Sequence, residues 1–226
     1  MKAPGFWALA LLGGCLLIPE SPALPGETGS VLAVAENMKA FFQGVEDYSS
    51  EVEQIYFQDG AEKERYRFRY AFKKPDRIRV DFISPHSGLV VFYRRGEKQA
   101  TLRPFPSFPS IQFNVSIESS LLKTPTGQSI NQTDMIFFID FLFRNLAAVP
   151  QGDPRLQEGE GEVDFLFWGR DYVQGEKPEK YHIFISRENW FPVRIERYSP
   201  EGKPVETSII RNYRFNSRPA DSFFIP

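Results

Sequence analysis

The stretch Arg65 to Phe72 constrains this chain more than any other. Tyr66, Phe68, Tyr70 and Phe72 alternate with Arg65, Arg67 and Arg69. After a Lys74-Pro75-Asp76 break the pattern resumes, with Ile78, Val80 and Phe82 alternating with Arg77, Arg79 and Asp81. Successive side chains of a β-strand point to opposite faces, so a period of two with rings on one side and charges on the other describes strands buried on one face only. Two such runs across a short turn predict an antiparallel pair whose inner face carries the rings. Shorter runs predict further strands at Gly88–Tyr93, Gln99–Arg103, Ile111–Ile117, Val163–Trp168, Tyr181–Ser186, Val193–Tyr198 and Val205–Phe215. The segments between them hold the turn formers Pro85, Gly88, Gly96, Gly175, Pro178, Asn189, Pro192, Pro200 and Gly202. The result is a meander.

Two segments depart from that period. Ser30 can cap a helix in which Val31, Leu32, Ala35, Met38, Phe42 and Val45 recur at helical spacing. Thr133 or Asp134 can cap a second helix running to about Ala148, with Pro150 as its stop. It is apolar on nearly all sides, and such a helix must be covered all round or face an apolar ligand. Residues 150–162, with Asp153, Glu158, Glu160 and Glu162, read as a polar loop. The order helix, five or six strands, apolar helix, about four strands predicts an α+β fold that is mainly β: a strongly curved antiparallel sheet with helices on its concave side.

The first residues read as a targeting segment. Lys2 precedes an apolar run from Phe6 to Ile18, ended by Pro19, Glu20 and Pro22, which is short for a bilayer span. Ser21-Pro22-Ala23 offers small residues for cleavage after Ala23, giving a signal peptide over 1–23, a linker over 24–30 and one domain over 31–226. The competing reading takes Leu12-Gly13-Gly14-Cys15 as a lipobox with Cys15 lipidated. Cys15 is the only cysteine, so a chain cut after Ala23 has no disulfide and relies on its core. Of the 22 Phe residues of the full sequence, all but Phe6 remain in that chain and provide for a thick one.

Sites for chemistry are sparse. His86 and His182 are the only histidines and sit at no metal-ligand spacing, and there is neither a nucleophile elbow nor a phosphate loop. Glu158, Glu160 and Glu162 read as a solvated run, and Asn114 and Asn131 lie in acceptor-like triplets of a kind common by chance. A formal net charge of −2 gives no field to draw nucleic acid. The expectation is a binding protein with no catalytic residue, metal or cofactor.

The chain resembles the LolA-like family of periplasmic carriers of outer-membrane lipoproteins. The resemblance rests on a helix ahead of the first strand, on the segment Phe72-Lys73-Lys74-Pro75-Asp76-Arg77-Ile78-Arg79-Val80-Asp81-Phe82, and on the ending Asn212-Tyr213-Arg214-Phe215 through Asp221-Ser222-Phe223-Phe224-Ile225-Pro226. It implies an incomplete β-barrel closed by helices that form a lid over an apolar cavity. It also implies a periplasmic monomer that shields the acyl chains of lipoproteins, or another lipid, between an inner-membrane donor and an outer-membrane acceptor. On that basis Tyr66, Phe68, Tyr70, Phe72, Ile78, Val80, Phe82, Phe92, Phe138 and Phe141 are the expected cavity residues. Lys74, standing where the carriers have an arginine, is the expected lid holder, donating to helix carbonyls. Departures include Ile78 and Val80 at positions where aromatics are common, and the tract Arg103-Pro104-Phe105-Pro106-Ser107-Phe108-Pro109. Two other readings stay open: a regulatory sensor domain of the same architecture, and an outer-membrane lipoprotein acceptor anchored through Cys15.

Overall fold

The computed structural model describes residues 30–146, 155–158, 161–170 and 178–226. The proposed signal peptide, the linker up to Gly29, Cys15 and the C-terminal limit of the second helix lie outside the described residues. Helix α1 spans Val31–Gln43 and is followed by six strands: β1 Asp47–Gln58, β2 Ala61–Lys73, β3 Arg77–Ser84, β4 Val90–Arg94, β5 Gln99–Arg103 and β6 Phe113–Ser116. After α2 (Met135–Leu146) come β7 Arg155–Glu158, β8 Glu162–Arg170, β9 Pro178–Ser186, β10 Pro192–Tyr198 and β11 Pro204–Phe215.

All eleven strands belong to one antiparallel sheet in the order β6-β5-β4-β3-β2-β1-β11-β10-β9-β8-β7. Each arm is a meander, and the first and last strands join the arms at the centre through the pairs from Tyr48 with Phe215 to Tyr56 with Glu206. Edge strands β6 and β7 are not neighbours in this order, so the barrel is incomplete. Residues Arg155–Glu158, read from the sequence as part of a polar loop, form the edge strand β7, paired from Arg155 with Leu166 to Glu158 with Val163. An edge strand is held by backbone hydrogen bonds on one flank, so polar residues serve there and no hydrophobic alternation announces it.

Helix α1 forms where the sequence placed it. The Ser30 side chain accepts a hydrogen bond from the Ala33 amide at 3.2 Å, and at the other end the Gly44 amide turns back onto the Phe41 and Phe42 carbonyls. Its inner face (Val31, Val34, Ala35, Met38, Phe42) is buried with Phe72, Ile78 and Phe191 in one core cluster. The Phe42 ring lies 6.2 Å from the rings of both Phe72 and Phe191. The chain's end then locks this corner. Asp47 accepts from the Ser217 and Arg218 amides and the Ser217 hydroxyl at 2.9–3.0 Å, and Asn216 bonds Glu46 and Gly44.

Beyond that corner the tail crosses to the convex face of the sheet. Asp221 pairs with Lys73 at 2.7 Å and Arg77 at 3.1 Å, and two basic neighbours hold its carboxyl below the usual range. The Arg79 guanidinium is bidentate on Asp81, bonds the Phe223 carbonyl, and stacks over the rings of Phe223 (4.2 Å) and Phe92 (5.3 Å). The arginines of β2 and β3 are therefore outside, as the alternation requires.

Candidate functional site

Beneath α2, the concave face is hollow. A cavity of about 630 Å³ lies between the sheet and residues 120–141. The floor is built by alternation. Strand β1 contributes Tyr48, Ser50, Val52, Gln54 and Tyr56; β2 contributes Tyr66, Phe68 and Tyr70; β3 contributes Val80 and Phe82. Across β11 the same rule brings in Glu206, Ser208 and Ile210, and then the phase changes. Pairing with β1 slips between Ser49 and Glu51, opposite Asn212, whose φ of 57° marks the extra residue of a bulge. That one-residue shift turns Tyr213 inward to line the cavity.

The roof is moored at two polar points. At the start of α2, Asp134 is fully buried; its Oδ1 accepts from the Phe137 amide at 2.9 Å, capping the helix, and its Oδ2 lies 3.3 Å from Arg95 Nε. Nearby, the Met135 amide donates to the Tyr48 hydroxyl at 3.3 Å, and the Thr133 hydroxyl donates to the Ile130 carbonyl at 2.7 Å. Burial pushes the Asp134 carboxyl above its ordinary range, more than the cap bond and Arg95 pull it down. Burial also raises the phenols of Tyr48 and Tyr70, so both remain neutral.

The second mooring lies in the opposite arm of the sheet. Arg197 sits between two carboxylates, with Nη1 to Glu206 at 2.9 Å and Nη2 to Glu179 at 2.8 Å. Glu206 is bound further by the hydroxyls of Thr126 (3.1 Å) and Ser208 (3.2 Å), and Thr126 accepts in turn from Arg197 at 3.2 Å. Gln54 donates to Glu206 and Ser208, both at 3.4 Å, and accepts from the Tyr56 hydroxyl at 3.0 Å. Thr126 belongs to the roof; the other members belong to the sheet. Buried charges survive only when paired and bonded in this way, and the network gives a mainly apolar cavity a buried charged end.

Of the residues expected from sequence, Tyr66, Phe68, Tyr70, Val80, Phe82, Phe138 and Phe141 line this cavity. Phe72 and Ile78 share their face of the sheet but lie beneath α1, fully enclosed. Phe92 is a correction: it pairs opposite Arg79 and is buried on the convex face, between the guanidinium groups of Arg79 and Arg103. Its neighbour Val91 lines the cavity instead. Lys74 does donate to helix carbonyls, Phe42 at 3.0 Å and Gln43 at 3.1 Å, but these are the last carbonyls of α1. No residue of α1 lines the cavity. The helix the sequence left without a solvent face is accommodated on two sides: Phe137, Phe138 and Phe141 face the cavity, while Phe143 lies under the Lys39 ammonium of α1.

Sequence reasoning missed the polar end and the roof before α2. His86, one of the two histidines, stands at the cavity rim near the rings of Tyr66 and Phe82. The other, His182, bonds Asp164 at 2.7 Å. Among the described residues, no cluster of three or more His, Cys, Asp or Glu side chains could hold a metal, and no helix is long and apolar enough to cross a membrane.

No family model matches the chain, and no curated protein sequence does. Solved structures to which it is similar include a putative outer membrane lipoprotein-sorting protein domain from Vibrio parahaemolyticus (13% identity over 86% of this chain and 95% of that one, TM-score 0.45). A LolA superfamily protein from Nitrosomonas europaea is similar at 15% identity over 86% of this chain and 97% of that one, TM-score 0.42. The MucA/MucB complex of Pseudomonas aeruginosa contains a chain matched at 10% identity, TM-score 0.47, over 85% of this chain and 60% of that one.

Proposed function

We propose that this chain binds the acyl chains of a lipoprotein, or of another lipid, in the cavity beneath α2 and carries them through the periplasm from an inner-membrane donor toward an outer-membrane acceptor. The step is reversible burial with no covalent chemistry. One observation carries the reading: a cavity of about 630 Å³, walled mainly by rings and aliphatic side chains and kept from collapse by a roof moored at both ends. That volume falls within the range of small-ligand sites. Each methylene moved from water into such a cavity contributes about 0.8 kcal/mol, so ten supply roughly 8 kcal/mol before the cost of ordering the chain. The binding residues of this reading are Tyr66, Phe68, Tyr70, Val80, Phe82, Phe138 and Phe141.

A fluorescent fatty-acyl probe tests it in solution. The wild-type chain should bind the probe, and Phe82→Glu should abolish binding, because a carboxylate at that half-buried position must lose its water when the probe enters, at a cost of several kcal/mol. Thermal unfolding recorded on the same samples separates lost binding from lost fold. Native mass spectrometry of protein purified from its own host should find lipid or lipoprotein bound, and the same spectrum reads whether Cys15 is lipidated. A wild-type chain that ignores the probe and carries no lipid overturns the proposal.

A further inference from the structure

More than half of the large apolar side chains exposed among the described residues lie in one stretch of the chain. Phe105, Phe108 and Phe113 are 50%, 60% and 53% exposed, Leu121 is 73% exposed, and Ile111 lies between them in sequence. All belong to the connections on either side of the edge strand β6 or to that strand itself. Water-facing rings at this density mark an interaction surface.

The patch continues the cavity wall outward. Pro104, where it begins, and Leu121, where it ends, both line the cavity. Phe113 pairs opposite the lining residue Leu102, which puts both on one face of the sheet. The Pro106 ring packs so closely on Gly88 that a β-carbon there would overlap it, and Gly88 precedes the lining residue Leu89. Three prolines (104, 106 and 109) remove amides that would otherwise draw the segment into the sheet. The connection therefore stays outside the barrel with its rings turned outward.

The chemistry of the patch selects its partner. From Pro104 to Ile117 the chain has no charged residue. The two amide side chains in that stretch are already engaged: Gln112 bonds the Pro109 carbonyl at 3.2 Å, and Asn114 accepts from Thr101 at 2.9 Å. At the borders stand the exposed Lys98, whose carbonyl receives the Ile117 amide, and Lys123, which pairs with the exposed Glu118 at 2.9 Å. Protruding rings on an uncharged stretch, with the exposed Lys98 beside them, suit a bilayer, whose acyl region takes the rings and whose phosphates take the lysine.

We propose that the Pro104–Ile117 segment together with Leu121 docks on a lipid bilayer and seats the cavity mouth at the membrane surface. The inference rests on the acyl-chain reading of the cavity and adds the route: a chain leaving the bilayer enters without crossing water. The test is flotation with phosphatidylcholine–phosphatidylglycerol vesicles, using the chain as its host processes it. The wild type should float with the vesicles. Phe105→Ser combined with Phe108→Ser should lower the bound fraction about tenfold or more, as removing two partly exposed rings from an apolar contact predicts. Neither residue lines the cavity, so the double variant should unfold at the wild-type temperature and bind the soluble acyl probe as before. That separates failure of docking from failure of the cavity reading. A Phe108→Trp chain reports insertion directly: its added emission should shift to the blue with vesicles and be quenched by bromine-labelled acyl chains. A wild type that stays unbound overturns the proposal, whatever protein it retains from a lysate. So does a double variant that floats as well as the wild type, or a Phe108→Trp signal that lipid bromines leave untouched.

Discussion

Phe68 and Phe72 stand on the same strand and the same face, two inward positions apart, and they meet opposite fates. Phe72 is fully enclosed, with the rings of Tyr48 at 5.4 Å and Phe42 at 6.2 Å. Phe68 is half-buried, touches the Phe82 ring at 5.7 Å, and borders the cavity. The strand treats them alike; the covering element does not. Helix α1 presents Val34, Ala35 and Met38, fully buried in the core that holds Phe72. The roof over Phe68 is held at its two moorings, by Asp134 and by Thr126, and the space between remains open. Whether an aromatic strand face becomes core or cavity is thus decided by how its cover is anchored.

The sharpest way to break this comparison is to truncate both rings. Phe72→Ala should cost about 3–5 kcal/mol, the usual cost of emptying a packed aromatic site. Phe68→Ala should cost only about 1–2 kcal/mol, because that ring is already partly unburied and abuts empty space. Urea unfolding measures both. Binding should divide the other way, with acyl-probe affinity reduced by Phe68→Ala and unchanged in whatever fraction of Phe72→Ala remains folded. Equal stability losses at the two sites would mean that the cavity is filled as tightly as the core.

The same contrast explains what the sequence disclosed. Periodicity placed α1 and nine of the eleven described strands, most of which lie at the boundary between core and solvent, where the pattern is strongest. Helix α2 is legible from an apolar run between a cap and a proline, and the sequence reading sets no range for β1 or β7. Periodicity could not place Phe92. Val90, Val91, Phe92 and Tyr93 are all buried, so the alternation that assigns faces elsewhere is absent. What covers the outer face there is a tail more than a hundred residues further along the chain, held through Arg79 and Phe223. The polar end of the cavity was hidden for the converse reason. Gln54, Arg197, Glu206 and Ser208 face inward, yet in sequence they look like any solvent-facing strand residue. Their mutual satisfaction depends on Thr126, which comes from the roof. Tyr213 required a bulge that no local motif announces.

A smaller effect separates the two covers by pH. Asp134 faces Arg95, Asp140 and the phenols of Tyr48 and Tyr70, and burial raises its folded pKa above the unfolded value of about 3.9. Between those two values the folded state binds more protons than the unfolded one. Stability from this group is therefore fully present below about pH 3.9 and is lost as pH rises through the raised folded value. Asp134→Asn keeps an oxygen to accept from the Phe137 amide, so the cap survives and the step vanishes. The wild-type stability minus that of Asp134→Asn should fall with rising pH across that window, in chemical unfolding from about pH 3.5 to 7. Asp134→Ala, which loses the cap as well, should cost about 1–2 kcal/mol and speed probe release. If Asp134→Ala left release unchanged, the mooring would have no part in holding the roof.

The smallest effect belongs to Lys74, and it tests whether α1 should be counted as cover or as core. Its ammonium donates to the Phe42 and Gln43 carbonyls and lies 4.8 Å from the Phe42 ring centre. It thereby satisfies the acceptors that every helix leaves unpaired at its C-terminus, where the helix dipole also favours a cation. The site is partly open to water, so screening limits its contribution, and Lys74→Ala should cost roughly 0.5–1 kcal/mol in urea unfolding. Lys74→Arg should recover most of that loss, because a guanidinium can reach the same two carbonyls. Probe affinity should stay within about twofold of wild type in both variants, since α1 meets the core and never the cavity. A Lys74→Ala chain with wild-type stability but faster probe release would reverse the assignment. The cation would then restrain a moving element, and α1 would belong with α2 as part of the lid.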